Sequence, residues 1–261
     1  AHNLTTKCIP ANNLSIPANN LIQTGISKDE FDLILNKIEQ VYTPIVTNLG
    51  AKLRVNRRWD DNAVDANAMR FGTTWVVNMY GGMARHRLMD VEGMTMIACH
   101  EIGHHVGGFP RDSWYSGEGQ ADYYGALKCL RKVWANDDNL SIVAKLPVPS
   151  SVGQKCLSQF KTQADVAICM RGAMANLSMA RVLAELRGES TPDFETPSKT
   201  VVTATVLGHT HSQCRLDTGY AGSLCSVDQT IDVSDADPNV GVCSRKAGIS
   251  VGVRPLCWYR E

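Results

Sequence analysis

The stretch Cys99–His105 constrains what this chain can fold into more than any other part of the sequence. It contains the pattern His-Glu-x-x-His within an apolar run whose spacing predicts a helix from about residue 91 to 106. Residues four apart share one face of a helix, so His100 and His104 can direct two imidazole nitrogens at a single metal ion. Glu101 lies beside them and can take a proton from a metal-bound water. The alternative interpretation is two ordinary histidines with a solvated glutamate between them.

A pair of acidic residues that follows the histidines favours a zinc site. Glu118 and Asp122 lie four residues apart at the start of a segment that predicts a helix to about Val133. A zinc ion held by two histidines takes a third protein ligand, and a ligating histidine commonly donates its other N–H group to a carboxylate. We therefore predict one Zn²⁺ per chain, with Glu118 as the third ligand and Asp122 as the partner of a ligating histidine.

A different third ligand is excluded by the residues that follow the histidines. The metzincin pattern would continue His104 with Gly107 and then a histidine at position 110. Gly107 is present, but position 110 is Pro110. Gly107 and Gly108 are therefore better interpreted as the end of the zinc helix.

Composition limits the classes of protein to which the chain can belong. Of its 261 residues, 44% are hydrophobic and 20% charged, which predicts a folded protein with a substantial core. The net charge of zero argues against a general nucleic-acid binder and against strong attraction to anionic lipid. No apolar run approaches the length needed to cross a bilayer. The expected partner is a peptide or protein substrate.

The nine cysteines indicate disulfides and an oxidising compartment. None forms a Cys-x-x-Cys pair, and four follow position 213 in a turn-rich segment. The chain begins without methionine or a hydrophobic leader, as a processed, exported protein would, although a start inside a longer chain looks the same. We expect Cys99 to be the unpaired thiol, a small buried hydrophobe. The predicted pairs are Cys156–Cys169, Cys214–Cys225, Cys243–Cys257 and Cys8–Cys129.

The sequence divides into three predicted regions. Residues 1–26 predict an extended arm, residues 27–190 a catalytic core, and residues 191–261 a cysteine-rich segment that completes the active site. The core is expected to open with a helix capped by Ser27 and ended or kinked at Pro44. The other predicted elements are short strands at 52–59 and 73–80, an N-cap at Asp90, and helices near 151–160 and 164–187.

Residues 67–130 resemble the gluzincin peptidases of the HtpX and CAAX-prenyl-protease group. The shared features, in order, are Asn67-Ala68, Gly72, a Val76-Val77 strand, Gly81-Gly82-Met83, Glu92, His-Glu-x-x-His and Glu118-x-x-x-Asp122. The resemblance implies an α+β, mainly helical zincin domain with a small β-sheet, followed here by a disulfide-stapled C-terminal segment. It also implies that the strand before the zinc helix is an edge strand that pairs with an extended substrate. The implied substrate-binding residues are Thr74, Trp75, Val76, Val77 and Asn78. An ordinary core strand remains compatible with Trp75 and Val77.

The same resemblance extends to a histidine and an arginine near the C-terminus. The family has Thr-His-Pro and then an arginine six residues after the histidine, a spacing that His209 and Arg215 match, with Thr210 in place of the proline. His209 would stabilise the oxyanion, and Arg215 would support carboxylates such as Asp122. A surface histidine pair in a disulfide-bound loop is the alternative, and His211 is a weaker candidate for the oxyanion role.

The sequence thus predicts an exported zinc endopeptidase with Glu101 as its general base. Two alternatives stay open. One is a catalytically inactive, zinc-stabilised peptide-binding module, which would not need Glu101. The other is a hydrolase of cell-wall peptides.

Overall fold

The structure is a computed structural model that describes residues 9–19 and 25–261 and the backbone of residues 5–7. It is an α+β protein with 46% helix, a small sheet and four disulfides. The strands are β1 (Thr5–Lys7), β2 (Lys52–Arg58), β3 (Ala66–Phe71), β4 (Thr74–Tyr80), β5 (Arg111–Asp112) and β6 (Tyr115–Ser116). The α-helices are α1 (Lys28–Asn48), α2 (Gly81–Ala84), α3 (Val91–Val106), α4 (Glu118–Tyr124), α5 (Leu130–Val133), α6 (Asn139–Val143), α7 (Ser150–Gln159), α8 (Gln163–Arg187) and α9 (Ser212–Leu224).

The main sheet has the order β1-β3-β4-β2. β3 and β4 form an antiparallel hairpin, and Gly72 provides the positive φ of +58° at its turn. β2 pairs with β4 in parallel along its whole length, and β1 pairs with the outer side of β3 in antiparallel register. The expectation that the strand before the zinc helix is an edge strand is therefore wrong, because β4 has a neighbour on both sides.

Helix α1 covers one face of the main core. It begins with the predicted capping box, in which Ser27 accepts from the N–H of Glu30 while the Glu30 side chain accepts from the N–H of Ser27. The helix does not end at Pro44 but continues to Asn48. A proline inside a helix loses one hydrogen bond and costs about 3 kcal/mol. Burial of Val46 beyond it, one turn after Tyr42, favours continuation of the helix.

The helix that carries the His-Glu-x-x-His pattern has the predicted bounds. α3 starts after Asp90, whose side chain accepts from the N–H of Gly93 at 2.7 Å, and Gly107 is its C-cap. The predicted helix from Glu118 to Val133 is also present. It is formed by α4, a π-helical turn at Gly125–Cys129 and α5. At Gly125 a Cβ atom would lie 2.6 Å from Cε of Met96 in α3. The absence of a side chain at Gly125 therefore lets the π-helical turn pack closely against α3.

Helix α8 packs against both α3 and α9. By length and composition alone it could cross a membrane, but 83% of its most apolar 18-residue window is buried inside the protein, as in a core helix. α9 was not among the predicted elements. The helix forms because glycines such as Gly219 and Gly222 allow it to lie directly against α8 and the π-helical turn.

Four disulfides stabilise the described part of the chain, and their pairing corrects the sequence-based prediction. Cys156–Cys169 is as predicted and joins α7 to α8. The other three are Cys99–Cys129, Cys214–Cys257 and Cys225–Cys243. Cys99 is therefore not a free thiol, and the predicted pairs Cys214–Cys225, Cys243–Cys257 and Cys8–Cys129 are wrong. Cys8 itself lies outside the described residues.

Candidate metal centre

The site depends on a close approach of α3 and α4. Gly103 lies in α3 between the two histidines of the motif, and a Cβ atom there would stand 2.8 Å from the carbonyl oxygen of Ala121 in α4. Because that neighbour is backbone, a side chain at this position would force the helices apart. The glycine therefore brings Glu118 and Asp122 within reach of His100 and His104.

His100, His104 and Glu118 form a group whose ligand atoms lie within 4.8 Å of one another, and all three are buried. Nε2 of His100 lies 3.3 Å from Oε2 of Glu118, and Nε2 of His104 lies 3.6 Å from Oε1 of Glu118. Nε2 of His104 has no hydrogen-bond partner among the described residues. These three side chains could therefore hold a metal ion.

The hydrogen bonds behind the two histidines fix their tautomers. Nδ1 of His104 lies 2.8 Å from the carbonyl oxygen of Ser116, which can only accept, so Nδ1 carries the proton. Nδ1 of His100 likewise donates to the carboxylate of Asp122 at 2.7 Å. In both rings Nε2 is left with a lone pair that points towards Glu118, which is the form needed for metal binding.

Arg215 holds the carboxylate of Asp122 in place. Its Nε and Nη2 atoms donate to the two oxygens of Asp122 at 2.7 Å each, a bidentate pair that is almost wholly buried. Burial would raise the pKa of Asp122, but Arg215 and His100 outweigh it and lower the pKa below its usual value. Asp122 is thus bonded to a histidine on one side, as the sequence pattern predicted, and anchored by Arg215 on the other, as the resemblance implied.

The environment of Glu118 also favours its charged form. Burial acts to raise the pKa of this carboxyl, but His104, His100 and Arg215 lower it to about 2. An ionised carboxylate and two neutral imidazoles are a donor set that suits a divalent cation.

Glu101 is fully buried beside this group. Neither of its carboxylate oxygens has a hydrogen-bond partner among the described residues. Burial is the largest effect on its pKa, which is raised well above the usual value, and the negative charges of Glu118 and Asp65 act in the same direction. A buried carboxylate without a partner is costly, so such groups in native proteins commonly serve a ligand or a reaction.

The segment that precedes α9 brings His209 close to Glu118. The N–H of Glu118 donates to the carbonyl oxygen of Leu207 at 2.9 Å, which fixes this segment against the start of α4. Nε2 of His209 lies 3.4 Å from Oε2 of Glu118, and its side chain is 32% exposed. His211 instead pairs with Glu189 on the surface, with 80% of its side chain exposed. The structure therefore places His209, and not His211, beside the candidate metal ligand Glu118.

The five predicted substrate-binding residues lie in β4, within the sheet. Thr74 and Trp75 are partly exposed, whereas Val76, Val77 and Asn78 are buried. The ring of Trp75 stacks on His105, whose Nε2 donates to the carbonyl oxygen of Val76 at 3.1 Å. Since both sides of β4 are paired, these residues offer no open backbone edge to a peptide.

Two features of the site were missed in the sequence. The hairpin formed by β5 and β6 supplies the Ser116 carbonyl that orients His104, and the ring of Tyr115 lies edge-on to that histidine with centroids 6.2 Å apart. No sequence pattern in residues 111–116 predicts the contact between Ser116 and His104. The role of Gly103 had a signal, since a glycine inside a buried helix commonly marks a close approach.

No family model, no curated protein and no solved structure matches this chain. The interpretation of the site therefore rests on its geometry and chemistry.

Proposed function

We propose that this protein is a zinc-dependent endopeptidase with its zinc bound by His100, His104 and Glu118. Ligand atoms that each lie about 2.0–2.2 Å from a tetrahedrally coordinated zinc ion lie about 3.3–3.6 Å from one another. The observed separations, 3.3 Å from Nε2 of His100 to Oε2 of Glu118 and 3.6 Å from Nε2 of His104 to Oε1 of Glu118, are of this size. Two imidazoles and one carboxylate, with a fourth position left for water, are the donor set of a catalytic zinc site.

The single observation that carries a hydrolytic function is the position of Glu101. A site that only bound metal would gain nothing from a second buried carboxylate whose two oxygens lack partners among the described residues. A general base that waits for a water molecule explains both its burial and the absence of a protein partner. This favours a hydrolase over the inactive peptide-binding module.

The chain's own residues suffice for the proton movements of peptide hydrolysis. Zinc would supply Lewis-acid activation of water and of the scissile carbonyl. Glu101 takes the proton of the attacking water and delivers it to the leaving amine. His209, at the rim of the site, donates a hydrogen bond to the developing oxyanion. Asp122 and Arg215 hold His100 in the orientation that zinc binding needs.

The four disulfides are consistent with an oxidising compartment outside the cytosol, so we propose that the enzyme is exported and acts on peptides or proteins there.

Glu101→Gln tests the proposal. The variant keeps the shape of the side chain but cannot accept a proton, so zinc should stay bound while hydrolysis of an unfolded protein such as casein falls by about 10²-fold or more. The measurement combines zinc content by mass spectrometry with the rate of peptide release, with and without chelator.

Glu92→Gln is the matched control. Glu92 is also a buried carboxylate of α3, but it pairs with Arg171, away from the proposed ligands. This variant should retain both zinc and hydrolysis. Full activity of Glu101→Gln would contradict the role of Glu101 as base.

A further inference from the structure

The resemblance implied that the strand before α3 takes the substrate, but β4 is paired with β2 and β3, so we consider its neighbour β3 instead. β3 packs against α3. Arg70 donates to the carbonyl oxygen of His105 at 2.8 Å. β3 therefore lies alongside α3, with Arg70 at the end of the helix that carries His105.

The outer edge of β3 is occupied by the chain's own N-terminal strand. In β1, Thr5 lies opposite Met69, Thr6 opposite Ala68 and Lys7 opposite Asn67. An extended segment in this position uses the backbone groups of β3 that would otherwise be open for pairing. A peptide in the same position would pair with β3 next to α3.

The segment after β1 is anchored independently of this pairing. Ile9 is buried in the main core, and the side-chain amide of Asn12 donates to the carbonyl oxygen of Val64 at 3.1 Å. Ser15 forms an antiparallel bridge with Ala63. The arm thus follows the chain that leads into β3, and its anchored part keeps β1 near the edge even when the pairing opens. Tethering of this kind gives a short strand a high effective concentration.

We propose that β1 is a self-inhibitory strand that competes with extended peptides for the outer edge of β3. The proposal rests on the function proposed above, since it names the surface on which that site takes its peptide and the segment that covers it. A three-residue strand contributes few main-chain hydrogen bonds, so the pairing can open without unfolding the core. The apparent affinity for a peptide is then reduced by the fraction of molecules in which the edge is open. A bound peptide would run antiparallel to β3, as β1 does.

Two proline variants of the full chain test the proposal. In an antiparallel pair only alternate residues direct their N–H groups to the neighbouring strand. Of Thr5→Pro and Thr6→Pro, one therefore removes a pairing donor and the other removes an N–H that points away, which makes them a matched pair. Hydrogen–deuterium exchange of the β3 amides identifies the variant in which the pairing is released.

The readout is peptide binding in a background that carries Glu101→Gln and is equilibrated with zinc. The probe is a fluorescein-labelled peptide with the sequence of residues 2–9 and serine in place of Cys8, measured by anisotropy. We expect the released variant to bind the probe about tenfold more tightly than its matched partner, and the probe to restore protection of the β3 amides. Equal affinity in the two variants and in the unchanged chain would overturn the proposal. Failure of the proposed function is seen separately, as an absence of casein hydrolysis by the zinc-loaded chain with Glu101 intact.

Discussion

At the scale of single residues, His209 and His211 show how position decides chemistry. The two histidines are two residues apart and similar in the sequence, but only His209 reaches Glu118, at 3.4 Å. Its partial exposure places it between the buried candidate ligands and solvent. His211 forms the N-cap of α9 and pairs with Glu189.

Exchanging each histidine for alanine separates an oxyanion donor from a surface group. His209→Ala should lower kcat by about 10²–10³-fold with little change in KM, because the donor acts on charge that develops during the reaction. His211→Ala should leave kcat within about twofold, because an exposed ion pair contributes little. Steady-state kinetics on a fluorogenic peptide provides the comparison. Equal effects of the two substitutions would contradict the role of His209.

At the scale of elements, the close contact of α3 with α4 decides whether the site exists. The backbone of Gly103 lies against the backbone of Ala121, so the two helices are closer than any side chain between them would allow. The Cys99–Cys129 disulfide also ties α3 to the π-helical turn that follows α4. Together these contacts hold Glu118 and Asp122 opposite the histidines.

Gly103→Ala should therefore weaken zinc binding. A methyl group forced against backbone costs about 1–3 kcal/mol, and part of that cost appears as displacement of α4, so we expect zinc affinity to fall by about tenfold. Competition with a chromophoric chelator measures the change. Gly153→Ala, where the new Cβ atom would meet only Cε of Met170 at 3.4 Å, should leave the affinity unchanged. Wild-type affinity in Gly103→Ala would show that the contact does not set the site geometry.

The sequence was informative where the signal is local. The sequence predicted helix α3 and its Asp90 cap. It also predicted the candidate ligands, from the i, i+4 spacing of His100 and His104 and from the acidic pair Glu118 and Asp122. Glu118, His209 and Arg215 converge as the resemblance implied. All of these depend on short patterns that act within one element or on a shared motif order.

The sequence-based predictions were wrong or missing where contacts between distant segments determine the structure. α9 has several glycines and polar residues, and its helical state depends on packing against α8 rather than on propensity. The resemblance implied that β4 lies at an edge, but β3 pairs with one side of it and the parallel strand β2 with the other. Cysteine pairing was wrong for Cys214 and Cys243 because neighbours in sequence were preferred over neighbours in space.

At the scale of the whole molecule, the candidate metal centre joins distant parts of the chain. α3, α4 and α9 each contribute to it, from His100 to Arg215. Cys214, adjacent to Arg215, is tied to Cys257, so a disulfide fixes the start of α9 near the C-terminus. A metal ion bound between these elements would stabilise the folded state as a whole, because the unfolded chain offers no preformed site.

Removal of zinc should lower the thermal stability measurably. Binding at a free zinc concentration about one hundred times Kd stabilises the native state by about 2.7 kcal/mol. For a chain of this size that corresponds to a decrease of about 5–10 °C in Tm on chelation. Differential scanning calorimetry with EDTA, followed by addition of zinc or of magnesium, should show recovery with zinc alone. Glu101→Gln should show the same decrease in Tm as the wild-type chain, because Glu101 is not a proposed ligand. If chelation of the zinc-loaded protein leaves Tm the same, the result would argue against a bound metal.

The most direct measurement is anomalous diffraction at the zinc absorption edge from crystals equilibrated with zinc. We expect one strong peak per chain, about 2.0–2.2 Å from Nε2 of His100, Nε2 of His104 and a carboxylate oxygen of Glu118. Glu101 should lie outside bonding distance of that peak. No peak between these three side chains, or a zinc ion bound elsewhere in the molecule, would contradict the assignment of a catalytic zinc site.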